Sequence, residues 1–540
     1  MGNVPEKISN NAFYGIDLQK NGLLIIIGIF IILVVVKSFI SLDFYAPFIS
    51  DEHVYDKEAK ILASGKLYPG IGQQPPLYIA FQSIGYILSD NPLVAYDIML
   101  IIGCIFSSTI IFPAYLILKK YVEPLYSILG AVAISTCLAL NYFSFTLMQE
   151  NLYLPLVLFS ILAIIEAFET NLLKWQIAAG ASIVILEMTK SIAQMAEMAF
   201  IGTIVLYLLI NWKKGIINVL KSKAALIASF IISYAAWHFF LSNAGKINAI
   251  LTGQSVKPGI GSTYNTVGIT NRAVYAVSNL EEYLRLVQTF LNHIDYLLLA
   301  SFMLFAILIF FFFTELNTKL RLGEGFKVSE IFIFQMILFS IIGVTIIAIS
   351  LRSSGSAYFT TIGRYLEPVV PPVILLGLIY ICNVKVSDFK KYLGVYVAFS
   401  AIVTLFFLIT NSTPNNMFSY DQIINNPSSG FYYNLKAIGL LPYSLGLLSI
   451  MSFGMFYLAL TNKKFITLLM VLLIIVSILV SVIPHMNNLK YSQKPLKDSI
   501  EQSLLNNSTV TTVSNEMNMT DVTNDHSVSS NTANLTGGTS

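Results

Sequence analysis

The sequence predicts an all-α polytopic membrane protein, and three observations carry that prediction. Hydrophobic residues fill 56% of the 540 positions and charged residues only 11%, whereas a soluble domain carries about 25% charged residues. The mean hydropathy is +0.72. Apolar runs of about 20 residues, the length that crosses a hydrocarbon core as a helix, recur from one end of the chain to the other.

Thirteen runs qualify as spans: 22–40, 94–118, 125–147, 152–170, 174–189, 190–211, 222–242, 296–314, 330–350, 366–382, 392–410, 440–461 and 465–484. The segment 76–89, "PLYIAFQSIGYILS", is too short for a crossing and reads as an interfacial or re-entrant helix. Leaving it out puts the basic short loops at 119–124, 171–174, 211–223, 314–327, 383–391 and 462–464 on the same side as Lys7 and Lys20. The positive-inside rule then makes this side cytoplasmic, with the amino end inside and the carboxyl end outside. The outer side receives 41–93, 243–295, 411–439 and 485–540.

This gives a cytoplasmic amino end at 1–21, a membrane domain at 22–484 and an outer tail at 485–540. The tail is rich in Asn, Ser and Thr and has too little apolar surface to fold. It carries glycosylation-type triplets at Asn506, Asn507, Asn518 and Asn534, and Asn411 begins another on the same expected side. The three cysteines, Cys104, Cys137 and Cys382, lie in apolar runs, which excludes a disulfide framework or a metal–thiolate site as the organising feature. In loop 243–295 the first half is Gly- and Ser-rich, and Leu280 to Leu291 reads as a surface helix.

Just beyond the first span, "SDEHVYDKEAKILASGKLY" begins at Ser50 and "PGIGQQPPLY" follows. Apolar or small residues at Val54, Ala59, Ile61, Leu62 and Leu67 interleave with charges at Asp56, Lys57, Glu58, Lys60 and Lys66, the pattern of a short interfacial amphipathic helix. Ser50 or Asp51 is its candidate N-cap. Pro75 and Pro76 close one segment and stiffly open the next. The adjacent carboxylates Asp51 and Glu52 admit two readings: charges that complement a helix dipole, or the acid–base end of a reaction at the membrane surface. His53 reads as a helix-start polar residue or, with Asp51 and Glu52, as a ligand of a divalent metal.

Other polar residues bear on that choice. Glu187, Lys190 and Glu197 lie within "ASIVILEMTKSIAQMAEMAF", and ionisable groups at membrane depth are costly and face a partner or a cavity. Glu187 and Lys190 are spaced to pair on one helix face; the functional alternative makes Lys190 a cation for a lipid phosphate. Glu150, in "FTLMQENLYLPL", sits at another expected outer turn, either as a solvated carboxylate or as part of the same site. Arg364 falls on the side where basic residues are depleted, and its planar fork suits phosphate or carboxylate. Tyr365 beside it also suits an interfacial belt. Together these turns describe a polar pocket at the outer leaflet, with a carboxylate available as general base and cations for a departing phosphate.

In their order and sidedness the residues resemble the polyprenyl-phosphate-sugar-dependent membrane glycosyltransferases of the GT-C fold, the group of protein mannosyltransferases and lipid A aminoarabinose transferases. The likeness rests on Asp51-Glu52, Tyr55, Ala59, Ser64-Gly65, Tyr68 and "QPPLY" at 74–78, then on "ENLYLPLVLF" from Glu150, "EMTKSIA" around Lys190 and "GRYLEPVVPPVILL" from Gly363. It covers 30–210 well and 355–385 fairly.

The resemblance implies inverting transfer of a sugar from a polyprenyl (dolichyl-type) phosphate donor to a lipid, glycan or protein acceptor at the outer face. By it, Asp51 is the catalytic carboxylate and Glu52 orients it or helps hold a metal. Lys190 and Arg364 contact the donor phosphate. Glu150, Tyr55, Tyr365 and Glu187 line the cavity, and Gln74, Pro75, Pro76 and Tyr78 shape the acceptor entrance. The implied partners are the lipid-linked donor, the acceptor and membrane lipids; no nucleic acid is expected. Gln74 departs from the family, which often has Lys or His before the two prolines. No stretch matches the soluble domains of oligosaccharyltransferases or of eukaryotic protein mannosyltransferases. A second reading, a transporter or flippase of a lipid-linked or anionic substrate, uses the same intramembrane charges as a pathway. The lack of matched broken-helix repeats counts against it.

Overall fold

The computed structural model describes residues 12–13, 16–43, 51–68, 74–211, 215–253, 273–276, 278–302, 304–322, 330–354, 363–383, 454–459 and 461–492. The expected span 392–410, most of 440–461, the expected outer piece 411–439, residues 254–272 of the expected loop 243–295 and the tail beyond Ser492 lie outside the described residues; the start of that loop, 243–252, continues α12. The contacts discussed below belong to the compact unit Met1–Asn487.

Apart from one two-residue antiparallel pair, β1 (Ala12–Phe13) with β2 (Ile16–Asp17), the described elements are helices. α1 (Leu18–Asp43) is the first span. Two short helices follow, α2 (Glu52–Ala63) and α3 (Pro76–Leu88). The next six are α4 (Pro92–Ser108), α5 (Ile111–Tyr121), α6 (Pro124–Ser135), α7 (Leu138–Ser144), α8 (Glu150–Thr170) and α9 (Leu173–Thr189). Then come α10 (Gln194–Ile210), α11 (Ile216–Ser222), α12 (Ala224–Thr252), α13 (Leu280–Ala300), α14 (Leu304–Leu322) and α15 (Glu330–Ser354). Two short 3-10 turns at Gly363–Tyr365 and Glu367–Val369 lead into α16 (Val370–Asn383), and α17 (Lys463–Ser492) is the last.

The chain is an all-α polytopic membrane protein. Among the described residues seven stretches are long and apolar enough to cross a bilayer, or eight if one bent pair counts as a single span. The thirteen expected spans differ from this in identifiable places. The run 125–147 is two helices, α6 and α7, meeting at 51°. Asn141 Nδ2 donates to the Thr136 carbonyl at 2.8 Å and so satisfies an acceptor that the break exposes. The run 296–314 is divided after Ala300, and Phe302 takes a left-handed backbone (φ 51°) between α13 and α14. The run 174–189 is α9, a helix of 17 residues. The run 465–484 lies inside α17, which continues to Ser492. The segment 76–89 is α3, whose 13 residues fall short of a crossing.

Two spans form the centre. The span Glu150–Thr170 is 83% buried and Gly363–Asn383 is 89% buried, against 11% for the spans of α1 and α12. The exposed apolar faces of α1 and α12, with Phe39 and Phe239 among them, are the surfaces that meet hydrocarbon in a bilayer. α9 and α12 pack with no spacing between backbones: a Cβ on Gly180 would stand 2.5 Å from the Leu226 carbonyl oxygen. The far end of α8 is closed by Lys223, whose Nζ donates to the carbonyls of Ala167 at 2.9 Å and Phe168 at 3.2 Å. The C-terminal end of α12 is tied to the segment after α2, where the Leu67 N–H donates to Asn248 Oδ1 at 2.9 Å.

Candidate active site

The two most enclosed spans each carry a charged residue within their first two positions. Glu150 is the first residue of α8 and Arg364 the second of Gly363–Asn383. A carboxylate is favoured in the first turn of a helix. Arg364 Nε donates to Glu150 Oε1, and Nη2 reaches Glu150 Oε2 at 3.4 Å and Met148 Sδ at 3.6 Å. Lys190 Nζ donates to the same Glu150 Oε1 at 2.5 Å. Glu150 is thus the shared counter-ion of two cations, and all three side chains are buried. Charges at such depth persist only when paired.

Asp51 completes the group. It is the N-cap residue of α2, yet its side chain makes no capping bond. Its Oδ2 instead accepts from Arg364 Nη1 at 3.0 Å, and the side chain remains 42% exposed. The guanidinium fork therefore bridges an enclosed carboxylate and an accessible one.

Lys190 sits where α9 ends and the chain turns into α10, on extended backbone. Its Nζ lies 5.5 Å from the centre of the Tyr365 ring and 5.8 Å from that of Tyr153. An ammonium carries three donors, and among the described residues Glu150 takes one of them. Behind these two rings lies a small apolar cavity of about 20 Å³, whose walls include Tyr153, Val157, Ile161, Leu186, Met195 and Tyr365. The polar cluster and the cavity are contiguous through the rings that flank Lys190.

The remaining expected site residues divide. Glu52 is fully buried, and its Oε1 accepts the Leu147 N–H at 2.6 Å, a clasp between α2 and the turn before α8. Tyr55 is buried one turn after Asp51, edge-on to Tyr78 at 5.8 Å between ring centres. Burial holds the Tyr55 phenol well above its ordinary pKa, with Arg364 opposing. Tyr78 is fully buried and so walls the site from within instead of lining an entrance. Pro75 is buried, Pro76 opens α3, and Gln149 Nε2 donates to Gln74 Oε1 at 3.2 Å, which ties that element to the residue before Glu150.

Glu187 does not pair with Lys190 and lies outside the Asp51 cluster. Gln194 Nε2 donates to its Oε1 at 3.2 Å, and His238 Nε2 stands 3.6 Å from its Oε2. The reason is local: α9 stops at Thr189, so the helical i, i+3 relation between Glu187 and Lys190 does not exist. A metal does not fit either. Asp51 is engaged by Arg364 and Glu52 by Leu147, and among the described residues no three His, Cys, Asp or Glu side chains stand close enough to hold one.

The packed face of α2 also differs from expectation. It buries Glu52, Tyr55, Glu58 and Ala59. Glu58 Oε2 has no hydrogen-bond partner among the described residues. Burial pushes this carboxyl up to about 8, with Lys57 partly opposing. Its neighbour Asp56 accepts from Tyr86 Oη at 2.5 Å.

Four residues of the site went unpredicted. Tyr153 lies one helical turn beyond Glu150, a spacing that places it on the same face. Gln149 adjoins Glu150 in sequence. Glu367 and Tyr296, whose hydroxyl donates to Glu367 Oε1, meet across 71 residues and left no local signal.

Comparison with solved structures finds two crystal structures of ArnT from Cupriavidus metallidurans. One is bound to undecaprenyl phosphate, with TM-score 0.42 and 13% identity; the other is in the apo state, with TM-score 0.42 and 14% identity. Each comparison covers 84% of this chain and 78% of that chain. No protein-family model matches the sequence, and no curated protein sequence matches it. A likeness of this size concerns the course of the chain, and the roles argued below rest on the side chains.

Proposed function

We propose that the protein is a membrane glycosyltransferase of the GT-C type, which moves a sugar from a polyprenyl-phosphate donor to an acceptor hydroxyl at the outer face of the membrane. The observation that carries the reading is the junction at Lys190: two buried cations share one carboxylate, an accessible carboxylate completes the group, and an apolar cavity adjoins it. A lipid-phosphate sugar has three matching parts: a charged phosphate, an apolar chain, and a sugar whose anomeric carbon lies at the boundary.

In this reading the donor phosphate approaches Lys190 and Arg364 and the isoprenoid chain enters the cavity past Tyr153 and Tyr365. Asp51 takes the proton of the acceptor hydroxyl as general base. The acceptor oxygen forms its bond to the anomeric carbon from the face opposite the phosphate. The carbon–oxygen bond to phosphate breaks, its electron pair leaves with the phosphate, and the configuration inverts. Arg364 and Lys190 stabilise the charge that develops on the leaving group. Glu150 keeps both cations charged and placed, and Glu52 fixes α2 so that Asp51 faces the reaction. The amino end inside and the site outside belong to the same reading.

The test is transfer itself. Purified protein in lipid discs is given radiolabelled polyprenyl-phosphate sugars and a membrane extract as acceptor source. Labelled product that depends on Asp51 is expected. Donor movement between leaflets with the sugar–phosphate bond intact, and no labelled product, contradicts the proposal and favours a flippase.

A further inference from the structure

Arg364 does the most work in the site and makes its bonds from one of the shortest elements, the 3-10 turn Gly363–Tyr365. Three residues cannot hold a guanidinium fork in one place by themselves, so the restraint comes from outside the turn. The neighbour that supplies it is Tyr296, near the C-terminal end of α13.

Tyr296 grips the turn twice. Its ring lies flush on Gly363, where a Cβ would overlap the ring carbons. Its hydroxyl donates to Glu367 Oε1, just past the turn. Both ends of the segment 363–367 are therefore fixed by one side chain, and both Tyr296 and Glu367 are fully enclosed. Between the two grips Arg364 is directed to Asp51 and Glu150, and Tyr365 to Lys190. The turn closes on itself with the Leu366 N–H bonded to the Gly363 carbonyl at 2.7 Å. α13 is anchored in its turn: one helical turn before Tyr296, His293 Nδ1 lies 3.2 Å from Ser350 Oγ of α15. The Tyr296 hydroxyl makes no bond to Asp51, Glu150, Lys190 or Arg364, so whatever it does for the site it does through the turn.

We infer that Tyr296 is a positioning residue, which sets the aim of the Arg364 fork by clamping the turn at Gly363 and Glu367. The inference rests on the donor-binding reading for its functional consequence, but its structural content stands apart from that reading. Glycine at 363 is then required by the ring and not by the backbone angle, and the sequence "GRYLE" is a unit with two clamped ends.

A double-mutant cycle on the purified full-length protein tests this. Tyr296→Phe keeps the ring and removes only the hydroxyl; Arg364→Lys keeps the charge and removes the fork. Affinity for undecaprenyl phosphate, without sugar, is measured alongside the melting temperature. Tyr296→Phe is expected to weaken binding on the order of tenfold when Arg364 is present, the scale on which small misplacements act, and less than about twofold when Lys replaces it. Gly363→Ala, which retains the hydroxyl group but forces the whole Tyr296 side chain off the turn, is expected to reproduce the loss. The melting temperatures of the two single variants are expected to be non-additive. Additive effects in both readouts overturn the inference, since a merely structural tyrosine acts equally with either residue at 364. If the wild type does not bind undecaprenyl phosphate, the donor reading fails, and the melting cycle alone decides the clamp.

Discussion

Asp51 stands at the N-cap of α2 and lends its carboxylate to Arg364, 3.0 Å away across 313 residues of sequence. An aspartate in that position ordinarily bonds the free N–H groups of its own helix, a contact worth about 0.5–2 kcal/mol. Here the local bond is forgone for a distant one. That diversion argues against a residue present only for the helix terminus, which has no reason to face a buried guanidinium, and it is consistent with the role proposed for Asp51.

Glu150 neutralises two cations at once, so its loss is felt first in stability. Glu150→Gln leaves Lys190 and Arg364 buried beside a neutral amide, with an expected destabilisation of about 3–5 kcal/mol. Lys190→Met on that background is expected to return part of the loss, since the two residues belong to one network. Thermal melts of the single and double variants check this. A Glu150→Gln protein that melts with the wild type contradicts the hub.

The first loop carries a pH dependence of its own. Burial raises Glu58 from an ordinary carboxylate value of 4.5 to about 8 in the folded chain. Between those values the folded chain keeps a proton that the unfolded chain has released. The contribution to stability is full below pH 4.5 and is lost as pH rises through about 8. The melting temperature is therefore expected to fall over that window, and Glu58→Gln to flatten the dependence by removing the ionisation. An unchanged pH profile in the variant places the effect elsewhere.

The cavity predicts discrimination by chain length. Ala196 is one of its lining residues, and Ala196→Phe fills space that the isoprenoid chain takes in this account. Affinity for undecaprenyl phosphate is expected to drop about tenfold, equivalent to losing the burial of two methylene groups. A donor cut to two isoprene units is expected to bind as it does to the wild type. Equal losses for both donors separate the cavity from the lipid chain.

Chelation is expected to leave transfer unchanged. The candidate ligands do not converge, since Asp51 turns to Arg364 and Glu52 to the Leu147 N–H. Activity lost to a chelator and restored by a divalent ion requires a different arrangement of the first loop.

Much of this was legible in the residues, for stated reasons. Lys190 announced itself as a charge within an apolar run, Glu150 as a carboxylate at an expected outer turn and Arg364 as a basic residue on the side depleted of them, and the expected sidedness grouped all three with Asp51. Span length and the sidedness of the basic loops together kept α3 from being counted as a crossing. What stayed hidden was non-local or depended on where a helix stops. The pairing of Glu187 with Lys190 failed because α9 ends one residue before Lys190. The breaks at Thr136 and Phe302 fall inside long apolar runs with no Gly or Pro at the bend to mark it. The buried face of α2 includes Glu58, which a hydrophobic pattern assigns to solvent. The clasp of Glu52 on Leu147 and the grip of Tyr296 on Gly363 join segments far apart in the chain.

The central claim is that Asp51 activates the acceptor while Arg364 and Lys190 hold the departing phosphate, and a single-turnover comparison tests it most directly. Wild type and Asp51→Asn are loaded with equal amounts of the same radiolabelled lipid-phosphate sugar, then mixed with acceptor. The account predicts equal donor retention, with transfer slowed in the variant by about 10²–10⁴-fold, the range for a lost general base. Transfer by Asp51→Asn at the wild-type rate contradicts it.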